Sequence, residues 1–106
     1  MQHLTARELH SWLTDQQRAA PMLVDVREGW EVNLGKIDGA KHIPMASIPS
    51  LLPVLPPSGP VVVYCQHGMR SMKVASFLES QGCAGVYNLH GGIEAWNQDV
   101  AAGAIR

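Results

Sequence analysis

Three apolar runs constrain the fold most: Met22-Leu23-Val24-Asp25-Val26, Val61-Val62-Val63-Tyr64 and Gly85-Val86-Tyr87-Asn88-Leu89. Such runs read as strands covered on both faces rather than half-exposed ones. Helical patterns separate them. Thr5-Ala6-Arg7-Glu8 is a capping box, and Leu9, Trp12 and Leu13 follow at helical spacing. A helix is therefore predicted from Thr5 to about Gln17, interrupted by Pro21. Glu28 to Leu34 reads as a short helix ended by Gly35, Ala40 to Ile43 as a short strand before Pro44, and Ile48 to Leu52 as a short helix. Leu55-Pro56-Pro57-Ser58-Gly59-Pro60 is a loop by composition. Ser71 to Gln81 forms a helix with Val74, Ala75, Phe77 and Leu78 on its apolar side and Gly82 as terminator. Gly91-Gly92 opens a last helix through Trp96. Strands alternating with helices predict an α/β fold, with a central, mainly parallel sheet between helices.

The chain has 106 residues, 46 % of them hydrophobic, so one domain over 1–106 with one real core is expected. A net charge of −1 gives no global field for nucleic acid or membrane surfaces. Met1 to Trp12 holds no basic region followed by a long apolar stretch, and no apolar run approaches transmembrane length, so neither signal peptide nor membrane span is expected. The two cysteines, Cys65 and Cys83, make no disulfide framework and lack paired zinc-ligand spacing. His3, His10 and His90 form no metal-ligand grouping, so no metal or other cofactor is implied. A reducing cytoplasm is the expected compartment.

The chemistry concentrates at Cys65. It follows the Val61–Tyr64 strand, and Gln66-His67-Gly68-Met69-Arg70 lead into the helix at Ser71. In open α/β sheets, ligands bind outside the carboxyl ends of the strands, where Cys65 lies. Free N–H groups and the dipole at a helix start favour negative charge, and a thiol there is biased toward thiolate. The contrary reading is a small buried hydrophobe, common for free cysteine. Arg70 and His67 could supply positive charge to an anionic group. Arg70 fits catalytic and structural roles equally, whereas His67 reads as a rim residue. Asp25 and Arg27, at the end of another strand, read as an internal ion pair that orders the loops, with Glu31 a candidate partner for Arg27. They could also support the site directly. His42 reads as structural, and Cys83 as a packed small residue at the far end of the helix. Trp12, Trp30 and Trp96 read mainly as core or edge packing, with lining of the site entrance as the alternative for Trp30.

Four stretches resemble the single-domain rhodanese family of sulfurtransferases. They are Leu23-Val24-Asp25-Val26-Arg27-Glu28, Gly35-Lys36-Ile37-Asp38-Gly39-Ala40-Lys41-His42-Ile43-Pro44, Val62-Val63-Tyr64-Cys65-Gln66-His67-Gly68-Met69-Arg70-Ser71 and Asn88-Leu89-His90-Gly91-Gly92-Ile93-Glu94-Ala95-Trp96. Four motifs in the family's order are far more specific than any one. Lys36 departs from the pattern, where many relatives carry histidine.

The resemblance implies a three-layer rhodanese-like fold. It implies that Cys65 takes a sulfane sulfur from a donor such as thiosulfate or a persulfide, and passes it to cyanide, a thiol or a sulfur-relay protein. Gln66, His67, Gly68, Met69, Arg70 and Ser71 would then form the substrate-binding loop. Phosphatases and arsenate reductases of the related fold are the nearest enzyme alternative. Their cysteine-to-arginine loop is one residue longer, which suits a tetrahedral oxyanion. A non-catalytic binding module is the other alternative, and the presence of Cys65 argues against it.

Overall fold

The computed structural model describes residues 1–51 and 59–101. The strands are β1 (Gln2–Leu4), β2 (Met22–Asp25), β3 (Lys41–His42), β4 (Val61–Tyr64) and β5 (Val86–Leu89). The helices are α1 (Ala6–Thr14), α2 (Gly29–Val32), α3 (Ile48–Leu51), α4 (Met69–Ser80) and α5 (Gly92–Trp96). A 3-10 turn, Met45–Ser47, precedes α3, and a π-helical turn, Asn97–Ala101, continues α5.

The strands form one sheet in the order β1-β5-β4-β2-β3, and every pair is parallel. Central β4 has Val62 opposite Leu23 on one side and Tyr87 on the other. Side chains of a strand alternate between faces. Val61, Val63 and Cys65 accordingly join Val74, Ala75, Leu78 and Cys83 in one core, while Val62 and Tyr64 join Leu9, Trp12, Leu89 and Ile93 in the other. Helix α4 thus covers one face, and α1 with α5 covers the opposite face. This parity sets Cys65 on the α4 side of the sheet.

The expected α/β architecture is present, with several boundaries moved. Helix α1 stops at Thr14 rather than near Gln17, because Asp15 leaves helical geometry and its Oδ1 accepts the Gln17 N–H at 2.9 Å. Helix α4 starts at Met69, two residues before the expected Ser71, because Gly68 adopts the left-handed conformation of the turn at φ 105°. It ends at Ser80, one residue before the expected Gln81, with Gly82 as the expected terminator beyond the cap. The Gly82 N–H donates to the Glu79 carbonyl and the Cys83 N–H to that of Leu78, each at 3.1 Å, closing a Schellman motif. Phe77 is only partly buried. The expected short helix over 28–34 covers Gly29–Val32 alone, and the expected strand over 40–43 covers Lys41–His42. Position 52 of the short helix and positions 55–58 of the loop lie outside the described residues. Strand β1 was not anticipated, since Leu4 is its single apolar residue.

Candidate active site

Cys65 is the first residue after β4, and its side chain is 1 % exposed. The chain turns through Gln66 to Gly68 and enters α4. This turn brings the Gly68 N–H to 3.1 Å from Cys65 Sγ, the Ser71 N–H to 3.4 Å and the Ser71 hydroxyl oxygen to 3.4 Å. Burial pushes the Cys65 thiol up; a hydrogen bond from the Ser71 hydroxyl, when its proton faces the sulfur, and those from the N–H groups of Ser71, Gly68 and His67 push it down and outweigh burial. The net result is a thiol pKa below the ordinary value.

The turn is held from behind by α5. The Ile93 N–H donates to the Cys65 carbonyl at 2.9 Å, and the Glu94 N–H to the Gln66 carbonyl at 3.2 Å. These are free N–H groups at the start of one helix satisfying carbonyls of the turn. Such an approach requires Gly92, where a Cβ would stand 2.5 Å from the Cys65 carbonyl oxygen and closer still to that of Gln66.

A charged layer lies beside the turn. Asp25 and Arg27, 1 % and 2 % exposed, form the expected internal pair, with Arg27 Nε 3.0 Å from Oδ1 and Nη2 2.8 Å from Oδ2. Burial raises the Asp25 pKa, but the hydrogen bonds from Arg27 prevail and lower it overall. The same guanidinium donates to the carbonyls of Glu31 and Gly35 at 3.2 and 2.7 Å and to Gln66 Oε1 at 3.3 Å, tying β2 to the turn. The Glu31 side chain does not pair with Arg27, the partner considered from sequence. Its two oxygens take Arg70 Nη1 and Nη2, each at 2.7 Å, because Arg70 projects from the first turn of α4 toward α2. That bidentate bond lowers the Glu31 pKa to about 2.

The candidate loop residues therefore divide. Gly68 and Ser71 face the sulfur, and Met69, Arg70 and Ser71 belong to α4 rather than to a loop. Gln66 is held by Arg27. His67 sits on the rim, 68 % exposed and paired with Glu94. Met69 is 64 % exposed. Trp30, expected to pack, is 68 % exposed, since α2 is a single turn whose buried side chain is Glu31. His42 Nε2 bonds the Arg27 carbonyl at 2.7 Å, and Cys83 is packed in the α4-side core. Sequence reasoning passed over Asn88, whose Oδ1 lies 2.5 Å from Ser71 Oγ. A polar residue inside an otherwise apolar strand was the signal. Among the described residues, no helix is long and apolar enough to cross a membrane.

The model of the rhodanese-like domain matches residues 5–99. An uncharacterized Bacillus subtilis protein, YqhL, is 38 % identical over 80 residues, a stretch that spans 76 % of this chain and 64 % of that protein. Thiosulfate sulfurtransferase GlpE of Stutzerimonas stutzeri is 34 % identical over 80 residues, covering 76 % of this chain and 73 % of that one. The crystal structure of a rhodanese-like domain protein from Staphylococcus aureus superposes with a TM-score of 0.83 at 35 % identity, covering 91 % of each chain. With the family model spanning most of the sequence and the same fold in its relatives, this chain belongs to the rhodanese-like domain family.

Proposed function

We propose that the protein is a sulfurtransferase of the thiosulfate type, working through a persulfide on Cys65. The carrying observation is a buried sulfur that faces the N–H groups of Gly68 and Ser71 and the Ser71 hydroxyl at the start of α4, with a depressed thiol pKa. The Cys65 thiolate attacks the outer sulfur of thiosulfate. The S–S bond of thiosulfate breaks, sulfite leaves with its electron pair, and Cys65 carries a persulfide anion. Cyanide or a thiolate then attacks that outer sulfur, takes it as thiocyanate or a new persulfide, and restores the Cys65 thiolate. No general base is needed when the turn stabilises the anion at every stage.

Thiosulfate is supported by the similarity to the GlpE protein. A thiol or a sulfur-relay protein is the proposed acceptor in the cell, and the cytoplasm, which keeps thiols reduced, the proposed location. The phosphatase reading is disfavoured by Arg70, whose two terminal nitrogens are both engaged by Glu31 rather than free for a phosphate. Intact-mass spectrometry before and after thiosulfate, and again after cyanide, tests the proposal. One added sulfur that leaves with cyanide and is absent in Cys65→Ser is expected. Hydrolysis of an aryl phosphate dependent on Cys65, without sulfur loading from any donor, would overturn it.

A further inference from the structure

A line of polar groups runs from the Cys65 sulfur to the surface, and the proposed sulfur transfer uses only its inner end. Ser71 Oγ lies 3.4 Å from Cys65 Sγ and 2.5 Å from Asn88 Oδ1. Asn88 Nδ2 lies 3.2 Å from Nδ1 of His3. Ser71 and Asn88 are buried, whereas His3 is exposed on edge strand β1, paired with Asn88 in the sheet register.

A serine hydroxyl carries one proton and cannot donate to both neighbours. The nearer carboxamide oxygen takes it. Asn88 then offers Nδ2 to His3, which accepts only while Nδ1 is unprotonated. Protonation of the ring makes Nδ1 a donor and sets two donors face to face. Turning the carboxamide over removes the conflict. Oδ1 accepts from the imidazolium, Nδ2 donates to Ser71 Oγ, and the hydroxyl proton swings to Cys65 Sγ. The sulfur anion gains a hydroxyl donor that it lacks when His3 is neutral.

We propose that His3 is a positioning residue for Cys65, deciding through Asn88 and Ser71 whether the sulfur anion receives a hydroxyl hydrogen bond. Other titratable groups surround the line. The His90 ring lies 6.4 Å from that of His3, and Glu79 of α4 pairs with the amino group of Met1 beside β1. At the sulfur end stand Arg70 with Glu31, and His67 with Glu94. Among the described residues, Asn88 and Ser71 side chains bond none of these groups, so only His3 is wired to the hydroxyl.

The proposal rests on Cys65 as the reacting sulfur, and its test needs no sulfur donor. The rate of Cys65 alkylation by iodoacetamide is followed from about pH 5 to about pH 9, spanning histidine and thiol titration, with the label read on the Cys65 peptide. The wild-type profile should show a second inflection in addition to the thiol ionisation. A hydrogen bond to a charged sulfur raises the thiolate fraction about tenfold, and lower nucleophilicity offsets about half of that logarithm. His3→Leu, on an exposed edge, should therefore react about threefold more slowly below the inflection and equally above about pH 8. Ser71→Ala should also lack the inflection, while His90→Gln and His67→Gln should keep it. Superimposable wild-type and His3→Leu profiles, a uniform change at every pH, or an inflection surviving Ser71→Ala would each overturn the proposal.

Discussion

Arg70 is the residue for which sequence left two readings even, and the structure gives it a partner in Glu31. Glu31 has a folded pKa of about 2, below its ordinary 4.5. A depressed carboxylate contributes stability that is fully present above its ordinary pKa and is lost as the pH falls toward the folded value. Glu31→Gln should therefore flatten the decline in urea midpoint between about pH 5.5 and about pH 3, and cost about 1 kcal/mol at the upper end, because Arg70 is partly exposed. Arg27 is different in kind. Its charge is buried and faces Asp25, so Arg27→Met should cost about 3–5 kcal/mol by leaving a carboxylate buried alone, measured by denaturant unfolding. The internal pair of Asp25 and Arg27 was legible because buried charges need partners, and the two stand at a strand end. The choice between Arg27 and Arg70 for Glu31 was not legible. Both lie within reach of α2, and only the early start of α4 decides it.

Helix α5 is five residues long, too short to be stable alone, and its N–H groups serve the Cys65 turn instead of only themselves. Gly92→Ala would force a Cβ against two carbonyls at a positive φ of 64°. An expected loss of about 2–3 kcal/mol follows from overpacking and left-handed strain, accompanied by loss of sulfur loading in the folded fraction. Thermal unfolding with mass readout checks both. The Gly91-Gly92 pair was visible in the sequence as a helix opening. Its contact with the carbonyls of Cys65 and Gln66 was not, since Gly92 lies 26 positions beyond Gln66 and no local pattern encodes a backbone approach. Apolar runs gave three strands directly. Strand β1 escaped because an edge strand needs few apolar residues, and β3 shrank because the chain before it turns at Gly39.

At the scale of the molecule, β4 lies between β5 and β2 and is buried along all four residues. Its amides at Val62 and Val63 should exchange only through global opening, whereas those of edge strands β1 and β3 should exchange through smaller fluctuations. Hydrogen exchange followed by NMR would order them, and equal protection across the sheet would contradict this. The all-parallel arrangement also explains why the Cys65 sulfur, the Asp25–Arg27 pair and the α5 start meet at one end: each lies at or just past the carboxyl end of a strand. Helix α4 starts there and carries the chain away to Cys83, which packs beyond its far end. Twelve helical residues span about 18 Å, several times the reach of a disulfide. A sulfur atom loaded on Cys65, as proposed, would have no thiol of its own chain within reach to discharge it. Under that proposal the lifetime of the loaded protein would be set from outside, by the concentration of the acceptor that collides with it, so the fold would act as a store whose emptying the acceptor times.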